Sequence, residues 1–252
     1  MSITLESSIY ESFTLPSKGL IYKKPINPNV TLRSMTTIEE LLRCSQTDSP
    51  YKVMSDIIEG CMKEKPDIHV YDMCIGDYQF LLHKLRAITY GKDYKMSITC
   101  PNCGEITDSI ADLDSIEILE YDDTYNDFTH ITLPVTNKEI DLKYQTPRDL
   151  DEIARKNKEF QRKTKTNLDY SLIYTMVSMI DKVDGEYLNV IQLEEFCKKL
   201  PMKDVNFLIL KSDELSRKVG LDTRIITKCG QCGYELVTSF RFTSEFFGPT
   251  AY

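Results

Sequence analysis

Residues 97–107 read "SITCPNCGEIT", and residues 226–236 read "ITKCGQCGYEL". Each stretch holds two cysteines two residues apart with a glycine directly behind the second, Gly104 after Cys103 and Gly233 after Cys232. A glycine in that place admits a left-handed turn and lets the following amides point at the sulfurs. Residues that favour extended backbone lead into both pairs, Ser97-Ile98-Thr99 and Ile225-Ile226-Thr227. Two such hairpin tips brought face to face supply four thiolates in a tetrahedron, which is the arrangement of a zinc ribbon. The expectation is one structural zinc ion held by Cys100, Cys103, Cys229 and Cys232, with no coordination position left for water or substrate. Four thiolates accept iron as well.

The two pairs are separated by the 125 residues between Cys103 and Cys229. Loop-closure entropy grows only with the logarithm of length, so this connection costs about 1.5 kcal/mol more than an ordinary ribbon loop of about 20 residues. Structural zinc contributes about 10–16 kcal/mol in small peptides, and the long insert is affordable on that scale. A pair of Cys-x-x-Cys redox centres is the competing reading. It lacks the βαβ pattern that normally surrounds such a centre.

Eight cysteines, a net charge of −8, 28 % charged and 41 % hydrophobic residues describe a chain able to build a folded core. No apolar run approaches the roughly 18 residues needed to span a bilayer. "MSITLESSIYESF" has no basic segment followed by an apolar one, so no secretory signal and a reducing cytoplasm are expected. The acidic balance argues against a protein whose main task is gripping a phosphate backbone. Fifteen tyrosines and ten phenylalanines offer material for protein contacts.

The patterning predicts an α+β protein. Residues 1–35 read as extended, with three prolines and an alternating Val30/Leu32 pair that fits a short strand. Thr37 with Glu40 suggests a capping box ahead of Ile38, Leu41 and Leu42. Ser49 and Pro50 suggest the cap and first position of a second helix. Tyr78, Leu81, Leu82, Leu85 and Ile88 form the stripe of a third, ended by Gly91. Residues 36–96 therefore read as mostly helical, and 97–108 with 224–240 as the split zinc ribbon. The insert, 109–223, reads as strands in "DSIEILEY" and "HITLPV…KEIDLKY", then as a helix opened by Pro147. Three further helices are expected over "NLDYSLIYTMVSMID", "VIQLEEFCKKL" and "PMKDVNFLILKSDELSRKVG". Residues 241–252 form an aromatic tail. Phe240, Phe242, Phe246, Phe247 and Tyr252 suggest a docking patch, part of which covers the ribbon.

Motifs for catalysis do not stand out. "YGKDY" lacks the rest of a phosphate-binding loop, and there is no GxSxG, HExxH or GxGxxG. His69, His83 and His130 lie far apart and read as surface or packing residues. Asp122, Asp123 and Asp127 lack calcium-loop spacing and read as a solvated loop. The basic run from Arg155 to Lys165 reads as the solvated end of a helix. Cys44, Cys61, Cys74 and Cys197 have no partner spacing and are expected to be buried, inert thiols.

Three segments in order, "LPSKGLIY" (15–22), "VTLRSMTTIEELL" (30–42) and "YQFLLHKLRAITYGKDYKMSITCPNCG" (78–104), resemble the baseplate hub subunit family of contractile-tailed, T-even-type bacteriophages. The resemblance implies a non-enzymatic protein that helps build the central hub, either as a part or as an assembly factor. It implies other hub or tail proteins as partners, the host cytoplasm during assembly, and the tail baseplate as a destination. No small-molecule substrate is implied. A zinc-ribbon protein that binds nucleic acid or serves transcription is the alternative reading of the same cysteines.

Overall fold

The computed structural model describes residues 10–239, 242 and 244–247. The chain enters through an antiparallel pair, β1 (Tyr10–Thr14) and β2 (Asn29–Arg33), in register from Tyr10↔Arg33 to Thr14↔Asn29. Val30 and Leu32, the alternating pair, both face the core. Helix α1 (Thr37–Arg43) follows, capped one residue earlier than Thr37: Thr36 is the cap, and the Glu39 carboxylate accepts from its amide at 2.7 Å and from its hydroxyl. The reason lies in competition for the two glutamates. Arg33 holds Glu39 inward at 2.8 Å, while Glu40 is occupied by Arg43 and by the Tyr90 hydroxyl at 2.8 Å. None of the α1 side chains is buried.

Helix α2 (Pro50–Cys61) starts at Pro50 as expected, but Ser49 makes no side-chain capping bond. Its first free amides, Tyr51 and Lys52, instead donate to the Asp151 carboxylate at 3.4 and 2.9 Å. A carboxylate at a helix N-terminus also complements the helix dipole. Helix α3 (Ile75–Tyr90) buries Tyr78, Phe80, Leu81, Leu82 and Leu85, and ends at Gly91, whose φ of 87° suits glycine.

Beyond it stand the antiparallel strands β3 (Asp93–Thr99) and β4 (Ile106–Asp112). The strand expected over 114–121 shrinks to β5 (Ile118–Leu119). Residues Leu113–Ser115 wind into a 3-10 turn, with Asp112 accepting from the Asp114 amide at 3.0 Å. Strands β6 (His130–Thr132) and β7 (Glu139–Leu142) are joined by helices α4 (Pro147–Thr164) and α5 (Ser171–Met179) to β8 (Ile180–Val183), giving a three-stranded sheet of order β6-β7-β8. The helix expected over 167–181 thus stops at Met179. Ile180–Val183 pair with β7 instead, ahead of a turn at Asp184 and Gly185 (φ 51° and 78°). Helices α6 (Val190–Lys199) and α7 (Met202–Ser216) follow, then β9 (Gly220–Leu221), which pairs with β5, and the antiparallel strands β10 (Arg224–Lys228) and β11 (Glu235–Ser239).

The mixed content bears out an α+β fold. Two apolar cores hold it together. One gathers Leu15, Leu32, Ile58, Phe80, Leu81 and Leu85. The other packs Leu133, Ile140, Met176, Ile180, Leu208 and Leu215 under the β6-β7-β8 sheet. A small cluster of Cys74, Tyr121 and Val219 is linked to the second core through Tyr144. The aromatic tail departs from expectation: Phe246 and Phe247 are 0 % and 3 % exposed and complete the first core. Burial is worth about 1.5–3 kcal/mol per such ring, which is reason enough for them to turn inward. Half-buried Phe242 packs on Phe246 with ring centres 5.1 Å apart. Phe240 and Tyr252 lie outside the described residues.

Candidate metal centre

Each cysteine pair sits where a β-hairpin reverses. In β3-β4 the ladder runs from Asp93↔Asp112 to Thr99↔Ile106, and the tip closes with Cys100 N–H donating to Glu105 O (2.8 Å) and Gly104 N–H to Cys100 O (2.9 Å). In β10-β11 the ladder runs from Arg224↔Ser239 to Lys228↔Glu235. That tip closes with Cys229 N–H donating to Tyr234 O (2.9 Å) and Gly233 N–H to Cys229 O (3.0 Å). The two tips make the same bonds at the same offsets. Gly104 and Gly233 both take a positive φ, 76° and 71°, in the region where a side chain is strained.

The fold brings the tips together. Cys100 Sγ lies 3.7 Å from Cys232 Sγ, and Cys103 Sγ 3.7 Å from Cys229 Sγ. All four sulfurs fall within 4.8 Å of one another. A tetrahedron with metal–sulfur bonds of about 2.3 Å has sulfur–sulfur edges of about 3.8 Å. A disulfide would need about 2.05 Å, and all four are free thiols. The donor set therefore fits one four-coordinate ion. Cys100 and Cys229 are buried with Leu236 against Ile98, while Cys103 and Cys232 are exposed.

Cys229 and Cys232 are held toward the thiolate form. The backbone amide of Cys232, assisted by that of Gln231 and by the Thr107 hydroxyl, pulls the Cys229 thiol down to about 6. The Asn102 side chain, 3.6 Å from Cys232 Sγ, lowers that thiol too. Cys103 is lowered by the Glu105 amide, but its contacts with Cys232 and the other thiols outweigh this and push it up to about 12. Four sulfurs this close cannot all shed their protons unless a cation balances the charge. With four ligands from the chain, the ion would tie the hairpins together and offer no open position.

The other residues singled out in the sequence stay apart. Cys61, Cys74 and Cys197 are buried, and burial pushes their thiols upward, Cys61 to about 11 and Cys197 to about 12. Cys44 departs from expectation: it is exposed at the end of α1, a helix that buries nothing. His69 is partly exposed beside Glu59 at 2.8 Å, and His130 pairs with Asp141 at 2.8 Å. His83 is buried against Leu113 O at 2.9 Å. The basic run lies on α4, where Arg155 and Lys163 pair with Glu159, and Lys158 with Asp48. Asp122 accepts from the Thr124 amide at 2.9 Å in the acidic loop; the side chain of Asp127 lies outside the described residues. Asn102 and Thr107, which face the sulfurs, escaped the sequence reading, although both stand within four residues of Cys103.

No curated protein and no solved structure matches the chain. Residues 9–248 match the family model described as T4 bacteriophage base plate protein. That span takes in both cores and both halves of the cysteine cluster, so the chain belongs to the T4 bacteriophage base plate protein family.

Proposed function

We propose that this chain is a subunit or assembly factor of the baseplate hub, a scaffold without catalytic function that binds other hub or tail proteins. The family match over residues 9–248 carries the baseplate reading. The hub assignment is supported by the resemblance of segments 15–22, 30–42 and 78–104 to hub subunits. One zinc ion held by Cys100, Cys103, Cys229 and Cys232 would keep the ends of the insert together, supported by the four sulfurs within 4.8 Å. Among the described residues no helix is long and apolar enough to cross a membrane. The proposed route is assembly in the host cytoplasm and delivery to the tail baseplate.

Quantitative mass spectrometry of purified particles beside the infected-cell lysate tests the role. A fixed, small copy number per particle makes the chain a hub component. Abundance in the lysate with absence from particles makes it an assembly factor. Association with a tail structure other than the baseplate would overturn the hub reading.

A further inference from the structure

Strands β4 and β10 run on either side of a groove of about 580 Å³. Residues 109–112 of β4 and 224–227 of β10 line it, together with residues 115–117 and Asp222. Successive side chains of a strand point to opposite faces, so a groove that meets consecutive residues meets the strand edge-on. The far edge of β4 pairs with β3 and that of β10 with β11; among the described residues nothing pairs with the two edges that face the groove. The slot is fixed at both ends. Beyond one end the strands lead to the hairpin tips, whose four sulfurs meet, and at the other β5 pairs with β9 while Asp222 N–H donates to Glu117 O at 2.9 Å.

Free edges of this kind are ordinarily blunted by lysine, proline or a covering element. Here residues 109–112 are Ser-Ile-Ala-Asp and 224–227 are Arg-Ile-Ile-Thr. Ile110 and Ile226 stand 63 % and 67 % exposed on the groove lining. The charge of the lining is negative: Arg224 is forked onto Asp222 with Nε 2.8 Å from Oδ1, and Asp112 and Glu117 remain in excess.

We propose that this slot takes one extended segment of another tail protein, alternating apolar residues with lysine or arginine, as a strand between β4 and β10. Its backbone would bond to both edges and unite the hairpins into one five-stranded sheet. Its apolar side chains would pack on the face of Ala111 and Ile225, which touch the first core, and its cations, on the face that Ile110 shares with Asp112, would meet Asp112 and Glu117 while their methylene stems cover Ile110 and Ile226. This rests on the reading that the chain binds other tail proteins.

The test uses the zinc-loaded full chain and two labelled synthetic peptides of alternating sequence, Lys-Val repeats and Glu-Val repeats. Anisotropy gives the affinities, and amide hydrogen exchange gives the site. The expected result is binding of the lysine peptide at least about tenfold tighter than the glutamate peptide, with slowed exchange in both 109–112 and 224–227. Glu117→Lys should remove most of that preference. Equal affinities, or protection of one strand or neither, overturn the proposal. So does protection already present without peptide, which points to residues 1–9 if deleting them abolishes it and to a second copy if it varies with concentration. Particle mass spectrometry judges the hub reading separately, so a failure of the slot and a failure of that reading are told apart.

Discussion

Asp77 lies at the start of α3 with no exposed surface, and its carboxylate accepts from the Ser17 amide at 3.0 Å, the Ser17 hydroxyl, and the Tyr22 hydroxyl at 2.6 Å. These bonds pin the Leu-Pro-Ser-Lys-Gly turn to the helix. Removing the acceptor strands buried donors, so Asp77→Ala is expected to lower stability by about 2–4 kcal/mol in denaturant titration. A loss under about 0.5 kcal/mol would refute the pinning role. His83 supplies a pH dependence. Burial, reinforced by the charge of Lys84, holds its folded pKa down at about 4 against an ordinary 6.5. Between those values the unfolded chain binds a proton that the folded chain does not, so stability falls as the pH drops from 6.5 to about 4. The full window is worth about 3 kcal/mol. Comparing wild type with His83→Gln across this range isolates the effect, since the variant lacks that slope while sharing any loss at the cysteines.

Between elements, α3 and β9 approach so closely that only glycine fits. A Cβ on Gly76 would lie 2.1 Å from Val219 O and 2.8 Å from Val219 C, both backbone atoms held in place by the β5-β9 pair. Gly76→Ala is expected to cost at least about 1–3 kcal/mol. Gly60, near the end of α2, has nothing within 4 Å of a Cβ, and Gly60→Ala should be neutral or stabilising by up to about 1 kcal/mol. Thermal melts of the two variants against wild type check the pair, and equal effects would contradict the packing argument. Local signals made several elements legible: Pro50 and Pro147 opened their helices, Gly91 closed α3, and the cysteine spacing marked both hairpin tips. What stayed hidden was long-range. Asp151 bonds the α2 amides from 99 and 100 residues away, while Ser49, the local candidate, does not cap. Phe246 and Phe247 read as a sticky tail because no periodic pattern around them announces a core. The break between α5 and β8 was obscured by the mostly apolar stretch 172–180, which suits a helix or a strand equally well.

On the scale of the molecule, the second core is self-contained between residues 131 and 215, whereas the two hairpins meet at the cysteine cluster. Exhaustive chelation, or Cys229→Ser, is expected to speed amide exchange in 93–112 and 224–239 while the second core keeps its protection. Unchanged exchange in the hairpins would show that no metal ties them. The separation of the cysteine pairs also sets a timetable for synthesis. A ribosome adding about 5–20 residues per second needs about 6–25 s to travel the 125 residues from Cys103 to Cys229. Once the first hairpin tip has left the exit tunnel, it waits out the rest of that interval with two thiols and half a coordination sphere. A chain interrupted before Cys232 never closes the cluster, so closure certifies that translation has passed through the entire insert.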